Sequence, residues 1–481
     1  MDSEKYDKFN TTIDRLVGEV LDVQNPDGGK SRKVKGPRLF SLRTSVEKLV
    51  RDSGAIRVNR ARRNYASIRK GKDAYTKDRY GIGLSYRIHV KRAYEGMIAL
   101  GYLREAKKGV SLGARGLFLT RYIATDKLLD LLSEPHSTIL PVLFPPEKDN
   151  ELIRVQQTIQ RPSRAGRRPM AIKELIDYED TPTTIAMRER LERINKVLLQ
   201  NWYDLELTDP EFDIMQAELK SKEERERGTD PHVNLANRTL YRVFTDATFT
   251  RGGRFYGGWW QTIPSRYRSR ILINSKRTVE FDYSGLHPAI LYAEAGRDLP
   301  DDPYDGILAP QHRDLVKKAF NAMVNAKHEL TRPPYGLVLR ETGMTWRQLS
   351  SAIREKHQPI SDAFYSNVGT HLQFIDSELA ERVLLHFPQR PLNAAVLPVH
   401  DSFIMHHGYE TDLRTVMDKF FTERFGRSIR LKAVLDRMYS TADGPKEPPE
   451  KGKYRFVTDD VFELFEYFQV GHEQRWTNFR S

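Results

Sequence analysis

Two aspartates about 120 residues apart each close an apolar, strand-like run. Asp282 stands in RTVEFDYSGLHPAILYAEAG and Asp401 in NAAVLPVHDSFIMHH. Carboxylate oxygens are the hard donors that Mg²⁺ prefers, and two carboxylates at adjacent strand ends can hold a pair of metal ions about 4 Å apart. Such a clamp activates an attacking 3′-hydroxyl and stabilises departing pyrophosphate, which is the chemistry of nucleotide polymerisation. Each acid has a plainer reading when taken alone. Asp282 precedes the helix-like HPAILYAEAG, where aspartate is a common N-cap. A His-Asp pair such as His400-Asp401 in a hairpin turn is commonly structural.

The elements that would position these acids belong to a long, basic chain. Its 481 residues allow two to four domains with a large core. With 39% hydrophobic, 30% charged and 10% aromatic residues it is too apolar for disorder. The longest apolar runs, such as Ile139–Phe144, fall far short of the roughly 20 residues of a membrane span. The start, MDSEKYDKFNTTIDRL, has no apolar leader segment. Zero cysteines exclude disulfides, thiolate zinc sites and cysteine nucleophiles. These features predict a cytoplasmic protein without a membrane partner.

The net charge of +13 is concentrated. Between Arg51 and Arg121 stand 18 Lys and Arg against 5 Asp and Glu, a surplus equal to that of the whole chain. Tyrosines 65, 75, 80, 86 and 94 interleave with these cations, a composition suited to a phosphate backbone.

Four units are expected. Residues 1–140 read as helix, helix and a basic β-wing, resembling a winged-helix nucleic-acid-binding domain; that resemblance sets Arg87, Lys91 and Arg92 on a DNA-facing helix and Lys107 and Lys108 in the wing. Residues 141–235 read as a mostly helical connector, with a thumb-like helical part from about 185. Within it Asp177 and Glu179 imitate the D-x-E of proofreading exonucleases, with no matching acids downstream. Residues 236–440 alternate strands and helices. Residues 441–481 read as a linker, ADGPKEPPEKGK, and a short helix.

Four segments between about 240 and 440 carry a resemblance. TRGGRFYGGWWQ, then FDYSGLHPAIL, then HRDLVKKAFNAMVNA, then VHDSF occur in the order found in the core shared by family A DNA polymerases and single-subunit, phage-type RNA polymerases. The resemblance implies an α+β right-hand core of palm, fingers and thumb, two Mg²⁺ ions (Mn²⁺ as a substitute), nucleoside triphosphates, and a DNA template with a primer or an RNA product. It implies that Asp282, the Tyr283 carbonyl and Asp401 ligate the metals, and that His400 contacts the terminal phosphate of the growing strand. Arg313 and Lys317, at i and i+4 on one helix face, would reach the triphosphate. Arg254 and Gln373 would contact the duplex, with Gly252, Gly253, Gly257 and Gly258 permitting close approach and Trp259 and Trp260 offering stacking surface.

The chain departs from the pattern at two places. His287 stands five residues after Asp282, where the DNA enzymes carry an acid, and Asn325 stands where they carry a tyrosine; both are expected near the sugar, while Tyr335-Gly336 follows later. The D-Y-S form favours DNA synthesis. His287, Asn325 and the H-D-S-F form keep RNA polymerase or primase-like activity as the alternative. A compact enzyme with its own DNA-binding domain suits a plasmid, phage or other mobile element. From other classes, a non-catalytic replication initiator or regulator and a metal-dependent nuclease remain open readings.

Overall fold

The computed structural model describes residues 3–23, 36–58, 66–68, 79–80, 84, 89–111, 117–118, 120–133, 151–161, 170–207, 209–226, 233, 235, 237–389 and 394–434. It is a mixed structure of helices and sheets with two apolar cores, one from Phe9 to Leu132 and one from Ile153 to Ile429.

The N-terminal core is built by α1 (Ser3–Val23), α2 (Pro37–Val58), β1 (Ala66–Ile68), α3 (Lys91–Ala99), β2 (Leu103–Lys107), the short pair β3 (Val110–Ser111) and β4 (Leu117–Phe118), β5 (Thr120–Ala124) and α4 (Asp126–Ser133). In α1, Phe9, Ile13, Leu16, Val17 and Val20 recur at helical spacing, and all are buried. They meet Leu42, Val46 and Leu49 of α2 and Ala93 and Met97 of α3 in one cluster. Gly101, at φ +74°, turns the chain out of α3 toward β2. The sheet order is β1-β5-β2, all antiparallel.

The second core begins with β6 (Ile153–Arg161) and β7 (Met170–Ile176), then α5 (Pro182–Leu199), β8 (Tyr203–Leu205) and α6 (Asp209–Glu226). This segment, expected to be mostly helical, contributes three strands. Ile153 and Val155 alternate with polar residues and are buried, while the side chains of residues 156–160 are half-buried or exposed. Thr181 starts α5 with a capping box to Thr184 and Pro182 in its first turn.

The chain continues through β9 (Tyr241–Phe244), β10 (Gly252–Tyr256), β11 (Ile271–Ile273), β12 (Lys276–Tyr283), α7 (Leu286–Glu294), α8 (Arg313–Asn325), α9 (Trp346–Lys356), α10 (Gly369–His386), β13 (Leu397–Val399), β14 (Ser402–His406), α11 (Glu410–Phe425) and β15 (Leu431–Val434). One sheet has the order β10-β9-β6-β7. The central sheet runs β13-β14-β12-β11-β8, and β15 also pairs with β12. Tyr203–Leu205, within the stretch read as thumb-like, is thus a buried strand of that central sheet. Helix α10 packs against β10, α5, α7, α8 and α11 and inserts Leu372, Ile375, Leu379 and Val383 into the core.

A clasp joins the segment between β1 and α3 to the end of β7. Arg79 pairs with Asp177 at 3.0 Å and Glu151 at 3.1 Å and lies over the Tyr178 ring, while the Tyr80 hydroxyl donates to the Ile176 carbonyl. Asp177, half of the exonuclease-like pair, is therefore committed to an arginine. The expected C-terminal helix of 441–481 lies outside the described residues. No helix among the described residues is long and apolar enough to cross a membrane.

Candidate active site

The pairing of β12 with β14 brings the two predicted aspartates side by side. Antiparallel register sets Asp282 opposite Ser402, the residue after Asp401, and the Tyr283 N–H donates to the Asp401 carbonyl at 3.3 Å. β12 buries Phe281 and Tyr283 on alternate positions, leaving Asp282 half-buried at the sheet surface. The link between β13 and β14 is the two residues His400 and Asp401 alone, with Val399 paired to Ser402. That tight turn holds His400 at φ +58°, a left-handed conformation uncommon outside Gly and Asn. Asp282 is not a helix cap. Gly285, at φ +65°, is the N-cap of α7.

The electrostatics report the crowding. Burial first, then the neighbouring Asp401 and Glu280, push the Asp282 carboxyl up to about 7, while Lys317 and Lys432 oppose the rise. Glu280 accepts from the Ser402 hydroxyl at 2.6 Å and faces Arg268 at 3.2 Å, which locks the start of β14 to β12.

A second group converges on Asp401 from β10, α7 and α10. Arg254 Nε donates to Asp376 Oδ2 at 2.7 Å, and its Nη2 donates to His287 Nε2 at 3.4 Å. Asp376 is only 2% exposed; burial pushes it up to about 6 despite Arg254, and Asp401 adds to the rise. Burial and then Arg254 hold His287 down at about 4, against the opposing pull of Asp401, so its imidazole is neutral and can accept the Arg254 proton. His400 is held below its ordinary value by its surrounding protein and Arg254, and its ring meets Tyr256 edge-on at 5.9 Å.

The glycines before and after Arg254 serve internal packing. A Cβ on Gly253 would meet the Phe244 ring at 2.8 Å and the Ser377 hydroxyl at 2.9 Å; one on Gly257 would meet the Thr239 carbonyl at 2.5 Å. Trp259 and Trp260, expected as stacking surface, are 1% and 0% exposed. They fill the core under β13, where Trp260 donates to the Pro398 carbonyl.

Helix α8 lines the other side. Arg313 and Lys317 share a cleft of about 490 Å³ with Asp282. Asp302 accepts from Arg313 Nη2 at 2.9 Å, whereas Lys317 is exposed and exerts its charge on Asp282. Asn325 ends α8 against Gly369, donating to the Asn321 carbonyl. Tyr335 is fully exposed. Gln373 lies half-buried on α10, one turn before Asp376. In the N-terminal core Lys91 is exposed beside Glu95, Arg92 is half-buried, and Lys107 and Lys108 are exposed at the end of β2. Arg87 lies outside the described residues.

Asp376, Glu280 and Lys432 belong to the site and carry no local motif. Asp376 did leave one signal. It falls at helical spacing from Leu372, Leu379 and Ala380, so an acid occupies the apolar stripe.

Asp282 and Asp401 are the carboxylates that could hold a cation, and Tyr283, next in the chain to Asp282, would add a backbone carbonyl. Two carboxylates whose repulsion raises one of them are a donor set that a divalent cation relieves. No family model and no curated protein matches the chain. Among solved structures the chain is similar to the POL domain of Pol1 from M. smegmatis in complex with DNA primer-template and dNTP, at 11% identity and a TM-score of 0.30, over 52% of this chain and 68% of that one.

Proposed function

We propose that the chain is a template-directed nucleotidyltransferase, a DNA-directed DNA polymerase of the family A type. The observation that carries this reading is the register of β12 on β14, which sets Asp401 beside Asp282, itself lining a cleft with Arg313 and Lys317. In this reading the central sheet is the palm, α8 belongs to the fingers, the helical part of residues 185–235 forms the thumb, and the N-terminal core is a winged-helix-like DNA-binding unit.

Asp282, Asp401 and the Tyr283 carbonyl would hold two Mg²⁺ ions, or Mn²⁺, which supply Lewis-acid activation of the 3′-hydroxyl and charge neutralisation on the phosphates. Arg313 and Lys317 bind the triphosphate by charge-assisted hydrogen bonds. Arg254, fixed in direction by Asp376, meets the template–product duplex, and Gln373 and His400 flank it. His287 and Asn325 stand toward the sugar. The neutral His287 in place of an acid favours RNA synthesis as the second reading, because it removes a charge from the sugar's surroundings.

The test is extension of a labelled primer on a DNA template with Mg²⁺, giving dNTPs or NTPs separately, for the wild type beside Asp401→Ala. Extension abolished by the substitution is expected, and the preferred nucleotide set separates DNA from RNA synthesis. Failure with both sets, with and without primer and on an RNA template, alongside tight DNA binding would discard the enzyme reading for a DNA-binding protein.

A further inference from the structure

Past Asp282 the cleft continues along a second basic wall. Register places Lys432 of β15 directly across from Asp282, so the two side chains leave the sheet on the same face. Lys432 is exposed and has no ion pair among the described residues. Lys317 of α8 and Lys432 of β15 both act on Asp282 and line its cleft, so ammonium groups from two different elements stand near it. Arg427 and Arg430, on the turn entering β15, line the same cleft.

What these arginines hold is informative. Arg430 pairs with Asp301 at 2.9 Å and Arg427 pairs with Asp298, both acids of the loop between α7 and α8. Asp298 and Asp301 are 94% and 98% exposed, and Arg430 is 66% exposed, so these pairs are weak and exchange readily. In the same loop Asp302 pairs with Arg313. Three carboxylates of one loop thus rest on three guanidinium groups of one cleft. A carboxylate on a guanidinium occupies the place that two phosphate oxygens would take.

We propose that Lys432, with Arg430 and Arg427, forms a distal phosphate subsite that receives inorganic pyrophosphate, and that Asp298 and Asp301 occupy its arginines until the phosphates displace them. This rests on the nucleotidyl-transfer reading. In that reaction a bond forms between the 3′-oxygen and the α-phosphorus while the α–β bridge breaks. The bridging oxygen leaves with the electron pair as part of pyrophosphate, and the hydroxyl proton passes to solvent. Lys317 and Arg313 of α8 face the phosphates, and Lys432 of β15 draws the leaving group away along the same cleft.

Direct binding of inorganic pyrophosphate to the full chain, by calorimetry without nucleic acid, tests the subsite independently of polymerisation. Lys432→Met is expected to weaken binding about tenfold, the loss of one charge-assisted contact. Lys432→Arg is expected to retain binding, and D298N/D301N to tighten it about threefold by removing the competing carboxylates. Thermal unfolding of each variant checks that it folds. Wild-type affinity in folded Lys432→Met, no binding by the wild type, or weaker binding in D298N/D301N would each overturn the proposal. If Lys432→Met weakens pyrophosphate binding while the wild type extends no primer, the subsite stands and the polymerase reading falls.

Discussion

Replacing Asp282 by asparagine should stabilise the metal-free protein, and by an amount that grows with pH. The Asp282 carboxyl rises from an ordinary 3.8 to about 7 in the folded chain. Between those values the folded chain keeps a proton that the unfolded chain has released. Stability therefore falls as pH rises through this window and stays reduced above it. The gap corresponds to about 4 kcal/mol at 1.36 kcal/mol per pH unit, a ceiling because the group is half-buried and water relaxes around it. Asp282→Asn has no such proton to lose. Urea unfolding in EDTA at pH 4.5, 6, 7 and 8 should show the variant ahead by only about 1 kcal/mol at the lowest pH. At pH 8 the variant should be more stable by up to about 4 kcal/mol. Adding Mg²⁺ at pH 8 should raise the wild type and leave the variant nearly unmoved. A difference between the two that stays constant from pH 4.5 to 8 would refute the argument, since the cost of burying the charge beside Asp401 and Glu280 would then not be stored in the folded site.

Arg254→Ala should cost about 3 kcal/mol by urea unfolding at neutral pH, because it leaves the fully buried Asp376 without its cation. Adding Asp376→Asn to that variant should recover part of the loss, and strict additivity of the two would count against the pairing. Gly253→Ala should cost about 2–4 kcal/mol, since φ is +80° there and the new methyl would meet Phe244 and Ser377; a thermal shift below about 2 °C would argue against that crowding.

The carboxylate pair was legible because each aspartate ends an apolar run that β-sheet periodicity and chain order make interpretable. Asp282 and Asp401 need only two strands to meet, and Val279–Tyr283 and Ser402–Met405 have the composition of buried strands. The glycines and tryptophans around Arg254 misled because close backbone approach looks the same in sequence whether the neighbour is a ligand or the protein itself. Only the packing of Phe244, Ser377 and Thr239 distinguishes the two. Asp376 stands in the apolar stripe of α10, and an acid there reads as a mere interruption of the stripe until the helix is seen buried on several sides at once. Lys432 and the loop aspartates were silent for a different reason. Their role depends on which strand pairs with β12, a choice made at long range by residues that have no sequence signature of their own. The strands at 153–176 were missed because only alternate residues of β6 face the core.

Direct pairing of β12 with β14 also governs when the site can exist. Its two carboxylates come from positions about 120 residues apart, with α7 to α10 and β13 folded between them, so closing that loop is costly and the contact forms late compared with local helices. A chain emerging from synthesis carries Asp282 long before residue 401, and for that interval it has a strand edge and one acid but no paired site. Once formed, the pairing tolerates changes in the length of the intervening segment far better than a one-residue slip within β12 or β14, which would turn Asp282 to the opposite face of the sheet.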